Sequence, residues 1–575
     1  MSELKNGADT AGVIRFSELR PAKNGRLQTK WTLTDPKQLD TVKLLIPPAH
    51  TLPIIFVPGI MGSNLCDKDN VPVWLLDSLG GVPKNLVAMW AGKGAGVRQS
   101  ILHPDRTQVY QSGAAPASNP ALGIDSEEYF RRGWGEVSQT SYHEFLLWLE
   151  KKMNSERNPL NWSDFKNPSI DDIFSRNIKR GGKIPAGLTM RMDGVPELAE
   201  NGFPVQPVTS DELLRRAKFS YPIYAFGYNW LRSNDDAAKA LKKRIKEVIS
   251  ENNTAHVKCT QVIIVTHSMG GLVARACAKL PDMSECIVGI VHGVMPAVGA
   301  AVAYRRCKVG MEDEDYIAGL VIGSDGREVS AVFAQAPGAL QLLPSEEYGL
   351  GWLEIEDPST GNRVAFPRHD PYEEIYLEKK KWWGLIKEDW LSPAGGRKID
   401  WDEYVRNIKN AKKFHEGITG YFHPNTFVFF GGGSEEKSFL KIKWKVKKGL
   451  APDEMKVSSS EIPELTYLSV RTDGSNNLYV GGEKISRTTV RGDSSLYLAQ
   501  ELSYWEVRCA FQDSAGDGTV PIRSGGFPRG RAGSSILQQF ELPSVAHEPA
   551  YRDYPSVKQV AYYSITKLSA LARIS

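Results

Sequence analysis

Residues 262–274 read Val-Ile-Ile-Val-Thr-His-Ser-Met-Gly-Gly-Leu-Val-Ala. The apolar β-branched run has the composition of a buried strand, and the small residues after it suit a helix that must pass close to that strand. Between them, Thr266-His267-Ser268-Met269-Gly270 has the spacing of a nucleophile elbow, a sharp strand-to-helix turn that presents one side chain at its apex. Ser268 occupies the apex. The helix that follows contributes unpaired backbone N–H groups and the positive end of its dipole, which favour negative charge beside the serine oxygen. Thr266 stands where such turns usually carry glycine; it is bulkier but short, so the turn is strained rather than forbidden. Taken alone, the five residues can also be read as a strand and an ordinary helix with a chance serine.

A second segment supplies the complementary half of a site. Residues 53–65, Pro-Ile-Ile-Phe-Val-Pro-Gly-Ile-Met-Gly-Ser-Asn-Leu, form a short apolar strand that breaks at Pro58-Gly59 into a glycine-containing loop. An α/β-hydrolase takes one oxyanion-hole N–H from the loop after its third strand and the other from the residue following the nucleophile. Those donors are expected at Met61 and Met269. They act through the backbone, so apolar side chains are compatible with the role.

The acid and base follow from chain order, since in this fold they come after the serine, acid first. Ala515-Gly516-Asp517-Gly518-Thr519-Val520-Pro521 places an aspartate in a tight glycine turn, and beyond Asp517 the chain has a single histidine, His547. Asp513, without flanking glycines, is the rival acid.

Four segments then fall in the motif order of lecithin:cholesterol acyltransferase-like lipases. They are Pro58-Gly59-Ile60-Met61-Gly62-Ser63, Tyr228-Asn229-Trp230-Leu231-Arg232, the elbow, and Gly516-Asp517-Gly518-Thr519-Val520-Pro521. The chain also resembles the GPI inositol-deacylase-like lipases at the elbow and oxyanion loop, a group that includes bacterial phospholipases delivered by type VI secretion. Phe427-Val428-Phe429-Phe430-Gly431-Gly432-Gly433 is similar to the strand and glycine turn that precede the acid loop in the first group. Thr266, and Asn229 where the acyltransferase-like group has aspartate, are departures. The resemblance implies a phospholipid or other lipid ester as substrate, peripheral contact with a membrane surface, and, for the delivered type, an immunity protein and a secretion apparatus as partners.

Composition excludes other classes. With 41% hydrophobic and 24% charged residues and a net charge of +4, the chain is an ordinary globular protein with no electrostatic footprint for nucleic acid. Cys66, Cys259, Cys277, Cys286, Cys307 and Cys509 show no C-x-x-C spacing and read as reduced thiols. No cofactor is implied and no metal site is expected; the acidic run Glu312–Asp315 lacks a calcium-loop pattern. The first residues lack an apolar signal region and no window approaches the ~18 apolar residues of a membrane span. Cytoplasmic synthesis, with delivery to a target-cell periplasm by a route that needs no cleavable signal, is the expected localisation.

The expected architecture is an α/β-hydrolase fold with a mostly parallel sheet, large cap insertions and a small β-rich insertion. Residues 1–40 form an N-terminal arm and 41–84 the first core piece; 85–205 are a cap insertion, and 206–345 the core segment with the elbow. A second cap or lid insertion occupies 346–423, a core strand 424–433, the β-rich insertion 434–505, and the acid and histidine loops 506–575. Within the second insertion, Trp382 and Trp383 follow Lys379-Lys380-Lys381, a pattern that suits either a lid facing lipid headgroups or a helix packed inward. The alternating lysines of 441–448 read as a basic membrane patch or as the solvated face of a strand. The motifs together imply acyl transfer through a serine ester, by a phospholipase or by a lipid acyltransferase. A catalytically inactive hydrolase-like binding module is the reading from a different class.

Overall fold

A computed structural model describes residues 48–76, 89–90, 92–118, 124–155, 208–311, 323–358, 361–447 and 507–574. It also gives strand backbone within 14–45, 189–191, 469–472, 477–491 and 495–506. The acidic run at 312–315 and most of 156–207 lie outside the described residues.

Among the described residues, seven strands make the central sheet: β1 (Ile54–Val57), β2 (Thr189–Arg191), β3 (Ile223–Ala225), β4 (Val262–His267), β5 (Ile287–Gly293), β6 (Thr426–Gly431) and β7 (Ile536–Leu542). Their order is β2-β7-β6-β5-β4-β1-β3, and every pairing is parallel. This is the α/β-hydrolase fold. Its central strands read as unbroken apolar runs because both faces are covered, as a parallel sheet requires. Ile55, Val57 and Ile264 point into one cluster with residues of α2 (Asn234–Asn252), α3 (Gly270–Lys279) and α4 (Trp401–Ile418). Ile54, Phe56, Ile263 and Val265 point into the other, with residues of α1 (Glu144–Ser155) and α5 (Pro555–Leu571). Alternation along each strand therefore builds two cores from one sheet. α2 follows the helical period, burying Ala237, Ala238, Leu241, Ile245 and Val248, and Asp235 and Asp236 complement its N-terminal dipole.

Three features differ from the expected organisation. Strands Ile14–Glu18 and Thr41–Leu45 pair in parallel, so residues 1–40 are not simply an irregular arm. β2 comes from the expected cap yet forms the edge of the central sheet against β7. Segments 346–423 and 434–505 share one six-stranded sheet, because Leu353–Glu356 pairs with Ile442–Lys447, which pairs in turn with Ser495–Cys509.

Candidate active site

The elbow is built where β4 ends. Ser268 has φ of 51°, in the left-handed region that L-residues rarely adopt, and its N–H is held by Gly293 O at 2.9 Å at the end of β5. The turn works only because its neighbours lack side chains. A Cβ on Gly270 would stand 2.4 Å from Val57 O, and one on Gly59 would stand 3.0 Å from Ser268 Cβ. The oxyanion loop therefore lies directly against the elbow. Thr266 fits the position usually held by glycine because its hydroxyl pairs with His292 Nδ1 at 3.0 Å on the adjoining strand. Tyr551 donates to the Thr266 carbonyl at 2.9 Å.

The structure brings Ser268, His547 and Asp517 together. His547 Nε2 lies 2.8 Å from Ser268 Oγ, and His547 Nδ1 lies 2.8 Å from Asp517 Oδ2. Asp517 is 2% exposed; its other oxygen accepts from Val520 N–H at 2.6 Å and Thr519 N–H at 3.0 Å. The carboxylate is thus held by its own turn while it faces the imidazole. A Cβ on Gly431 would stand 2.6 Å from Asp517 Cβ, which gives the glycine turn after β6 its purpose. Asp513 is engaged elsewhere: it accepts from Leu440 N–H at 3.0 Å and pairs with Lys443 at 3.0 Å.

Met61 has φ of 64°, and its carbonyl accepts from Trp74 Nε1 at 2.8 Å. Among the described residues neither the Met61 nor the Met269 N–H donates to a protein acceptor. The Tyr228-Asn229-Trp230 segment braces this loop from below: Tyr228 Oη donates to Pro58 O at 3.0 Å, and Tyr228 N–H donates to Ser63 Oγ at 3.0 Å. Asn229 explains its own departure from aspartate. Its amide donates to Thr107 O at 2.9 Å, Thr107 Oγ1 at 3.0 Å and Pro104 O at 3.2 Å, and a carboxylate cannot donate.

Of the two readings of Trp382 and Trp383, the structure contradicts the lid facing lipid headgroups, because both rings pack inward. They are 0% and 4% exposed, Trp383 stacking on Phe366 at 4.3 Å and Trp382 meeting Trp444 edge-on at 5.9 Å. The buried Lys308 ammonium donates to the carbonyls of Trp382 at 2.8 Å and Gly384 at 2.6 Å, which ties the segment inward. Lys443, Lys445 and Lys447 lie on the strand Ile442–Lys447, whose alternate residues Ile442, Trp444 and Val446 are buried; Lys441, just before it, meets Glu354, and Lys443 meets Asp513.

Two residues of this region were not read from the sequence. Tyr142 and His267 hydrogen-bond behind the serine, 125 positions apart. His267 lies inside the elbow motif, where spacing alone gives it no role, and nothing local marks Tyr142. Among the described residues no cluster of His, Cys, Asp and Glu could hold a metal, and no helix is long and apolar enough to cross a membrane.

A family model described as PGAP1-like alpha/beta domain matches residues 217–307, which span α2, the elbow and β5. A solved structure described as "The crystal structure of Tle4-Tli4 complex" aligns with a TM-score of 0.66 and 26% identity, covering 91% of this chain and 99% of that one. Phospholipase PlaB from Legionella pneumophila aligns at 10% identity over 56% of this chain and 85% of that one, with a TM-score of 0.15, too loose a superposition to bear on the site. No curated protein matches the sequence.

Proposed function

We propose that the chain is a serine phospholipase. The observation that carries this reading is the continuous path Ser268 Oγ, His547, Asp517, with both contacts at 2.8 Å, on a turn pressed against the Met61 loop, the Met61 and Met269 N–H groups going to no protein acceptor among the described residues. His547 takes the Ser268 proton as the oxygen attacks the ester carbonyl, and Asp517 orients the ring and stabilises its charged form. The Met61 and Met269 N–H groups receive the negative charge on the carbonyl oxygen. His547 then protonates the departing alcohol, and water releases the fatty acid by the same steps. The lipid substrate is supported by the elbow and oxyanion-loop motifs and their resemblance to those of known lipases. The occurrence of the similar Tle4 protein in a complex with Tli4 supports a cognate protein partner here; delivery as a toxin to a rival cell's periplasm is part of the same proposal and rests on the resemblance of the elbow and oxyanion-loop motifs.

The test is incubation of the purified chain with mixed phospholipid vesicles, products read by mass spectrometry, beside labelling of Ser268 by a fluorophosphonate. Fatty acid and lysolipid are expected from the wild type, with a loss of roughly a thousand-fold or more in Ser268→Ala and no change in its fold. A folded Ser268→Ala that still turns over lipid would sink the assignment. Directed to a bacterium's periplasm, the wild type should be toxic and Ser268→Ala harmless; equal tolerance of the two removes the delivery reading.

A further inference from the structure

Both ring nitrogens of His267, the buried residue before the elbow serine, are engaged. Nε2 lies 2.9 Å from the main-chain carbonyl oxygen of His547, and Nδ1 lies 2.9 Å from the Tyr142 hydroxyl. A carbonyl oxygen can only accept, so Nε2 carries the proton. Burial, with the neighbouring His547 adding to it, pushes His267 down to about 3, so the ring is neutral and Nδ1 is an acceptor. Tyr142 Oη must then donate to Nδ1, and the same oxygen receives the Gly59 N–H at 3.3 Å. Every hydrogen bond in this chain has one direction: Gly59 N–H to Tyr142, Tyr142 to His267, His267 to the backbone of His547.

The destination matters because His547 sits in the connection between β7 and the short helix Ala550–Asp553, where no strand ladder fixes its main chain. Its N–H donates to Asp517 O at 2.8 Å, and its carbonyl is the group that His267 holds. The Tyr142 side is equally specific. Tyr142 projects from a π-helical turn, Gln139–His143, a rare conformation that recurs at functional sites. A Cβ on Gly62 would stand 2.6 Å from Tyr142 Oη, so the hydroxyl is wedged against the oxyanion loop. The adjacent Ser141 donates to Glu548, the residue after His547, at 2.9 Å.

We propose that Tyr142 and His267 are positioning residues that hold the His547 main chain in register with Ser268 and with the Gly59–Gly62 loop. The inference rests on the triad reading above and gives it a support built from a segment outside the core motifs. The pair acts through geometry, so its loss falls on the rate of acylation rather than on substrate binding.

The test uses the full chain, a short soluble nitrophenyl ester, and the rate at which a fluorophosphonate labels Ser268. Tyr142→Phe deletes one oxygen and keeps the ring; His267→Leu deletes both bonds; His267→Gln keeps an amide N–H able to reach the carbonyl. Expected are a ~10- to 100-fold fall in kcat for Tyr142→Phe with KM nearly unchanged, a larger fall for His267→Leu, and partial recovery in His267→Gln. Because Tyr142 reaches the His547 main chain only through His267, adding Tyr142→Phe to His267→Leu should cost clearly less than the single Tyr142→Phe loss, the remainder being the Gly59 N–H that the hydroxyl also receives. An unchanged kcat in folded Tyr142→Phe, or full additivity in the double variant, overturns the proposal while leaving the triad standing. A wild type that neither labels nor hydrolyses any ester removes the triad and this support together. Independently of any variant, nitrogen NMR of histidine-labelled wild type should find His267 neutral and protonated at Nε2 from about pH 5 to 8. The opposite tautomer, or a His267 that titrates in that range, also overturns it.

Discussion

At the scale of single residues, the two candidate acids differ in what each carboxylate already holds. Asp517 turns one oxygen to the backbone of its own loop and the other to His547, whereas Asp513 ties the turn before Ile442 and pairs with Lys443. Asp517→Asn should therefore cut kcat by about 10⁴-fold with the fold intact, since the amide keeps the shape but loses the charge beside the imidazole. Asp513→Asn should change kcat little and lower stability modestly; kinetics and thermal melts of both variants check the ranking, and the reverse order would reassign the acid. Ser268 and Asp517 were legible in the sequence because the elbow and the glycine turn are local backbone devices that need particular residues at fixed spacing, and His547 because it is the single histidine beyond Asp517. The departures at Thr266 and Asn229 were visible as letters but not as reasons, because their partners, His292 and Thr107, are brought to them only by the fold. Tyr142 left no local trace at all: its value lies in one hydroxyl meeting a ring from a distant strand.

Among the elements, the segment around Trp382 shows where a pattern runs out. Tryptophans beside lysines describe a headgroup-facing surface and an inward-packed one equally well, since both rings and lysine stems are amphipathic. What decides is the buried Lys308 beneath them, whose ammonium is satisfied by the Trp382 and Gly384 carbonyls, and the Tyr304 hydroxyl, which donates to Trp383 O at 2.7 Å. Burial pushes Lys308 down to about 7, so those carbonyls hold a group that is only partly charged near neutrality. Replacing Trp382 and Trp383 with Ser should cost on the order of 3–5 kcal/mol each, as deleting a buried tryptophan does elsewhere. Activity on vesicles and on a short soluble ester should fall together, in step with the folded fraction. Selective loss on vesicles alone, with an unchanged melting temperature, would return these rings to a membrane surface. The core strands and α2 were readable for the opposite reason: a strand buried on both faces or a helix buried on one obeys a period that no distant partner can alter.

The whole molecule carries an acid sensitivity that no motif announces. Parallel order, two cores and the position of the elbow follow from apolar runs and chain order, but the joint sheet made by the two late insertions depends on register between strands ~90 residues apart, which periodicity does not encode. Burial of histidines is likewise a product of the assembled fold. His143, His267, His292 and His415 are pushed down to about 4, 3, 3 and 4, in each case first by burial. In the unfolded chain each titrates near its ordinary value of 6.5. Below that value the unfolded state takes up protons that the folded state refuses, so stability present above it is lost as the pH falls toward the folded values, by about 1.4 kcal/mol per histidine per pH unit. Glu136 and Glu150 run the other way, because burial pushes their carboxyls up, to about 7 for Glu136, and they offset part of the loss. Among the described residues His103 and His423 are depressed by burial as well, and Asp235 is a third raised carboxyl; six imidazoles against three carboxyls leave a net loss, so the melting temperature should fall steadily between about pH 6.5 and 5. His143→Gln keeps a donor for the Trp134 carbonyl, which His143 Nε2 meets at 3.0 Å, and removes one titrating ring. Thermal unfolding across that range should therefore show a shallower slope in His143→Gln than in the wild type, by an amount approaching one proton toward pH 5; parallel slopes would mean that His143 takes up its proton in the folded protein as readily as in the unfolded one, contrary to its burial.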